Sequence, residues 1–294
     1  MNYMVHNQTP VPDEVFITYD IDYVPKNTAL GRSLKPAYPF WTDVRAGEAY
    51  PVFDSHRGQG GSDGEFTYPA EAANPYPDGK RRNVLPITRA GTLIAAAGHV
   101  HPGGLHDDLY LDRGGASAHL FRSDAKYYDP AGPVSWDMSM TATPPGWRVG
   151  VKPGDKLRIE STYENTRASW YESMGIIVGY ITYADSAPGP DPFVSPPPLT
   201  GEVTHGPLPE NSNHGGGESG LPDPSTLPDQ QTLFSQVGIS GFTYLPGNLG
   251  SDTFMGNPPT VPQGQSLTFD NFDAAANVFH TITACKAPCN RSTG

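Results

Sequence analysis

An all-β protein is predicted by three features of the 294-residue sequence. Glycine (33) and proline (32) together exceed a fifth of the chain, charged residues are only 17%, and tyrosine (15) is abundant. Turn formers combined with β-prone aromatics at low charge favour short strands joined by tight turns. The length suits one large or two ordinary domains, enough to bury a core.

The strands follow in order. EVFITYDIDYVP (14–25) alternates apolar and polar positions and stops at Pro25, as a half-buried strand does. TLIAAAGHVH (92–101), HLFRSDAKYY (119–128), VSWDMSMTAT (134–143), DKLRIESTYEN (155–165) and MGIIVGYITYA (174–184) are the next. Between them stand the turn clusters HRGQGGSDGE, HPGG, DRGG, DPAGP, TPPG and KPGD, a spacing that fits a β-sandwich or jelly roll over residues 1–185. GQGGSDGE lacks the strand-to-helix setting of a phosphate cradle and reads as a turn. Residues 186–232 are Pro-rich and patternless, which predicts a linker. LFSQVGISGFTYLP, QSLTFDNFD and NVFHTITAC then restore the strand signal over 233–294. These are too few strands to close a sandwich, so the second domain is expected to be incomplete.

A net charge of −12 and a pI near 5.0 disfavour nucleic acid and anionic membrane surfaces as partners, since both reward Lys and Arg. No apolar run reaches the length of a membrane span, and the N-terminus lacks the basic and apolar regions of a signal peptide.

Chemistry concentrates at GHVHPGGLH (98–106). His99 and His101 are two apart on a predicted strand and therefore share a face. They either ligate a metal or pack as polar neighbours, and a third ligand must decide. Met174, opening an apolar strand, is the best candidate, although a lone methionine there also reads as core. Two imidazoles and a thioether suit copper, the sulfur favouring Cu(I).

The order EVFITYDIDYVP, GHVHPGG, VKPGDKLRIESTYENTRASWYESMGIIVGYI resembles the C-terminal half of the copper type II, ascorbate-dependent monooxygenases, whose best-known member is peptidylglycine α-hydroxylating monooxygenase. The shared features are the HxH strand, Gly154-Asp155-Lys156-Leu157 and Glu172-Ser173-Met174. The resemblance implies an oxygen-activating copper on His99, His101 and Met174. It also implies that His6 is one ligand of a second, electron-supplying copper whose partners lie in an upstream domain. Where the family's peptide hydroxylases carry a carboxylate-binding arginine and tyrosine, this chain has Ala97 and Val178, so a peptidylglycine substrate is not expected. The family's disulfides are absent, and WYESMG with SWDMSMTATPPGWRV is closer to the nodulin-like relatives of this fold.

GQSLTFDNFDAAANVFHTITACKAPC is similar to the first half of a plastocyanin-like cupredoxin, with Asn271 and Asp273 in the turn and His280 as the first copper ligand. Its further ligands would lie beyond residue 294, leaving His280 an orphan. Cys285 and Cys289 are either a disulfide, suiting an oxidising compartment, or a free pair. His205 and His214 read as solvated loop residues.

The expectation is thus a jelly-roll β-sandwich followed by an incomplete cupredoxin-like Greek-key sandwich. The function expected is that of an extracytoplasmic copper protein, hydroxylating a C–H bond of a small molecule with electrons from the cupredoxin or another donor. The rival expectations are a non-catalytic copper-binding or cell-surface module, and a metal-free sandwich with a structural HxH.

Overall fold

The computed structural model of the protein describes residues 14, 16, 18–45, 51–61, 63–183, 188–207, 223, 236–240, 243–245, 264, 266–272 and 274. Twelve strands form its main sheet: β1 (Tyr38–Asp43), β2 (Val52–Ser55), β3 (Glu65–Tyr68), β4 (Val84–Pro86), β5 (Gly91–Val100), β6 (Gly104–Arg113), β7 (Ala116–Tyr127), β8 (Met138–Ala142), β9 (Val149–Val151), β10 (Lys156–Glu164), β11 (Trp170–Tyr183) and β12 (Glu202–Val203). The hydrogen-bonded path runs β1-β11-β5-β8-β7-β6-β10-β3, with β2 on β11, β4 on β10, β9 on β5 and β12 on β8.

This antiparallel sheet curls on itself into the all-β sandwich that the composition predicts. The turn of the curl is at β8, which follows β7 over Met138–Met140 but meets β5 only at Ala97↔Ala142. One layer is therefore built around β1, β11 and β5, and the other around β7, β6, β10 and β3. Leu93, Val100, Leu109, Leu111, Phe121, Leu157, Ile159, Tyr163, Trp170 and Ile177 are fully buried between them. Each Leu- or Phe-sized side chain so buried stabilises by about 1.5–3 kcal/mol relative to exposure.

The layers approach so closely at one point that a side chain is excluded. A Cβ on Gly175 of β11 would lie 1.6 Å from the Ser161 hydroxyl oxygen and 2.6 Å from Ser161 Cβ of β10. Gly175→Ala is expected to destabilise by about 1–3 kcal/mol, as overpacking does, and Ser161→Gly in the same chain should recover part of it. Urea melts of the two single variants and the double variant check this; additive losses would contradict it.

β6 was not among the strands expected from the sequence, because GLHDDLYLDR looks too polar. Period-2 alternation nevertheless sorts it: Asp107, Leu109 and Leu111 are buried to zero exposure, while His106, Tyr110 and Asp112 lie on the other face, outside the core. Conversely, the expected strand at 14–25 does not form among its described residues. They are irregular, and Phe16, Ile21 and Tyr23 are exposed. The edge of β11 is taken by β1 over Tyr38↔Ile181 to Asp43↔Ile176, and β-propensity without a partner strand does not make a strand.

The segment read as linker begins as a docked strap. Gly150 N–H donates to the Pro190 carbonyl at 2.8 Å and Arg122 N–H to the Leu199 carbonyl at 2.8 Å. Arg113 forks between Asp155 and Asp191 under the Phe193 ring, and β12 pairs with β8. A Pro-rich chain lacks donors but keeps its carbonyls, so it can still accept from a sheet edge. Farther on, β13 (Gln236–Ser240), β14 (Thr243–Leu245) and β15 (Thr268–Asn271) form a separate three-stranded sheet, with β13 and β15 parallel.

Candidate metal centre

The end of β5 presents His99 on the outer face of its layer, and His101 follows just past the strand. Val100 between them is buried in the core. Gly98 has no room for a side chain: a Cβ there would sit 2.7 Å from Ser123 Cβ and 2.8 Å from Asp107 Oδ2.

β11 runs antiparallel beside it in the register Ile176↔His99 and Gly175↔Val100. Carried one residue further, that register sets Met174 beside His101. Directly opposed residues share a face, so Met174 and Ile176 lie on the face that carries the two imidazoles. Met174 also pairs across to Val52 of β2. Met174, Val52 and Ile176 form a small apolar cluster distinct from the main core. The three residues singled out in the sequence thus come from two paired strands and one side of the sheet.

The imidazole centroids of His99 and His101 are 5.3 Å apart with the rings nearly perpendicular. Trp136 covers them, its centroid 4.8 Å from that of His101 and 6.4 Å from that of His99. Burial lowers the His99 pKa to about 4. Burial and the neighbouring His99 lower that of His101 to about 3, against the opposing effect of a hydrogen bond from its ring to the Glu172 carbonyl. Both rings are therefore neutral at pH 7, the state in which a histidine ligates metal.

Glu172 has a left-handed backbone, φ 53°, at the irregularity where β11 shifts register against β2 between Trp170 and Ser173. The bulge turns the Glu172 carbonyl to the His101 ring and its N–H to the Asp54 carboxylate. Among the described residues, no group of three or more His, Cys, Asp or Glu side chains is placed to hold a metal ion. The arrangement instead offers two imidazoles with a thioether strand beside them.

Beneath the pair lies a buried polar layer that the sequence reading missed. The Tyr163 hydroxyl accepts from His101 N–H at 3.0 Å and from Met174 N–H at 2.8 Å, and donates to the Met174 carbonyl at 2.7 Å. The Asp107 carboxyl accepts from His99 N–H at 3.0 Å and from the Ser161 hydroxyl. Burial pushes Asp107 well above the ordinary carboxylate range.

Farther along β5 and β11, a cleft of ≈ 390 Å³ is lined by Ala97, Val178, Trp41, Ala142, Thr143 and Tyr180 among others, none of them charged; its lining includes Ala97, two residues before His99, but not His99 itself. Ala97 and Val178 are direct cross-strand partners.

A second polar cluster sits on the outer face of the other layer, where the Asp108 carboxylate lies 3.1 Å from His106 Nδ1 and 2.8 Å from His119 Nε2 and accepts from Arg122 Nε at 2.8 Å. Burial alone would raise the Asp108 carboxyl; the close ring nitrogens of His106 and His119 and the hydrogen-bonded Arg122 guanidinium outweigh it and hold the carboxyl well below the ordinary range. A carboxylate with a depressed native pKa stabilises the fold above its unfolded pKa, near 4, and loses that contribution as pH falls further. Asp108→Ala is accordingly expected to cost about 2 kcal/mol at pH 7, with the gap from wild type shrinking steadily from pH 4 to pH 2. Denaturant titrations at each pH check the trend; a constant gap would refute it.

His6, His214, Asp273, His280, Cys285 and Cys289 lie outside the described residues. Asn271 ends β15, and His205 is exposed, its Nδ1 2.7 Å from the Gly206 carbonyl. No helix among the described residues is long and apolar enough to cross a membrane. No family model matches the chain, and no curated protein matches it.

Proposed function

We propose that the protein binds copper through His99, His101 and Met174, and that this centre activates oxygen to hydroxylate an uncharged small molecule. The observation that carries the reading is the placement of two neutral imidazoles and a thioether residue at the end of one strand pair, on one face. The donor set suits the metal: imidazole accepts both copper oxidation states and thioether favours Cu(I). The hydrogen bond from the His101 ring to the Glu172 carbonyl is the kind of second partner that orients ligating histidines.

Bound copper would supply oxygen reduction. The chain's residues would do the rest: Trp136 limits water at the rings, and the uncharged lining of the cleft accepts an apolar group while making a carboxylate costly to desolvate. Insertion of one oxygen atom takes O₂, two electrons and two protons for each C–H bond converted, with release of water. The electron source in this proposal is ascorbate or the cupredoxin-like segment at 233–294, with His280 in its copper site. Residues 1–185 would form the catalytic domain, with His6 contributing to a second copper. An extracytoplasmic setting would suit a Cys285–Cys289 disulfide.

A second reading, copper held without turnover, is favoured by Trp136, whose ring lies against both imidazoles. Oxygen consumption separates the two. Copper-loaded protein with ascorbate should consume oxygen faster than the His99→Ala variant under the same conditions. Stoichiometric copper with no excess uptake would leave the binding module.

A further inference from the structure

The ladder between β5 and β11 ends at Gly175↔Val100, one residue short of the pair His101 and Met174. Beyond that point β11 enters its bulge at Glu172, and β5 has ended. What ties the two residues together is a side chain from the opposite layer. The Tyr163 hydroxyl lies 3.0 Å from the His101 nitrogen, 2.8 Å from the Met174 nitrogen and 2.7 Å from the Met174 carbonyl oxygen. One donor and two acceptor sites are all that a phenol offers, and all are used.

Two further features aim the oxygen at that spot. β10 shifts register against β6 between Thr162 and Tyr163, and such irregularities re-aim side chains. The Tyr163 ring is fully buried and held edge-on by Phe53, centroids 5.3 Å apart. An apolar ring at this position would fill the same volume, so packing alone does not call for the hydroxyl.

We infer that Tyr163 is a positioning residue for the metal centre, its hydroxyl replacing the missing ladder bonds and setting the separation of His101 from Met174. The inference rests on the copper reading for its functional meaning, but the tie itself is independent of any metal.

The test is Tyr163→Phe, which removes one oxygen atom and keeps the ring. In the metal-free protein, amide hydrogen exchange at His101 and Met174 should accelerate at least tenfold more than at Leu93 and Ile177 in the same strands. Cu(I) affinity, measured by competition with a chromophoric chelator, should fall by about ten- to hundredfold, as for supporting partners of metal ligands. X-ray absorption should show the Cu–S contribution weakened while imidazole scattering remains. Leu111→Ala, a core variant at the far end of β6, serves as the stability control and should leave affinity and Cu–S scattering unchanged. Unchanged exchange at His101 and Met174 would overturn the tie. Unchanged copper affinity, or equal losses in Leu111→Ala, would overturn its role at the centre. A wild-type chain that binds no Cu(I) would sink the copper reading, while the exchange result would still decide the tie.

Discussion

Replacing His99 or His101 by alanine is expected to lower Cu(I) affinity by more than about a hundredfold, beyond the loss typical of residues that merely support a ligand. The fold should survive. Both imidazoles lie on the outer face, partly exposed, and the inward Val100 that anchors the strand is untouched. What links His99 and His101 to the buried layer is their backbone N–H groups, on Asp107 and Tyr163, and an alanine keeps both. Chelator competition on each single variant and on the double variant measures the effect. Because the two rings would bind one ion, the double variant should lose little more than the worse single variant; independent, additive losses would indicate two separate weak sites.

The second large effect is expected at Met174. Met174→Leu roughly conserves volume and should cost under about 1.5 kcal/mol of stability, since Val52 and Ile176 can pack on either side chain. Cu(I) affinity should nevertheless fall at least about tenfold while Cu(II) affinity changes little, because only the soft oxidation state gains from sulfur. Equal affinities of wild type and variant for Cu(I) would make Met174 a packing residue.

The histidine pair was legible because strand geometry turns an i, i+2 spacing into a shared face, and the apolar run before it marks the strand. Met174 was legible only as an opening residue of an apolar strand, and its position beside His101 depends on a register that sequence spacing does not reveal. Tyr163 and Asp107 were not legible. They act on backbone N–H groups of residues distant in sequence, and nothing in STYE or HDDL distinguishes such a role from ordinary strand composition. β6 was missed because charged residues on its outer face hide the alternation of Asp107, Leu109 and Leu111 within. The segment at 14–25 was overcounted for the opposite reason: its alternation is clear, but β1 already holds the edge it would need. In the sequence Gly175 is one more glycine of an apolar strand; its requirement comes from Ser161 in the other layer, a contact that exists only once the sheet curls.

The most direct test is X-ray absorption of the wild-type chain loaded with one equivalent of Cu(I). One tightly held copper per chain, bound by two imidazole nitrogens and one sulfur, with the sulfur lost in Met174→Leu and the nitrogens in the His99→Ala, His101→Ala double variant, is the result expected here. Sulfur scattering that persists in Met174→Leu, or copper retained in full without His99 and His101, would contradict the assignment.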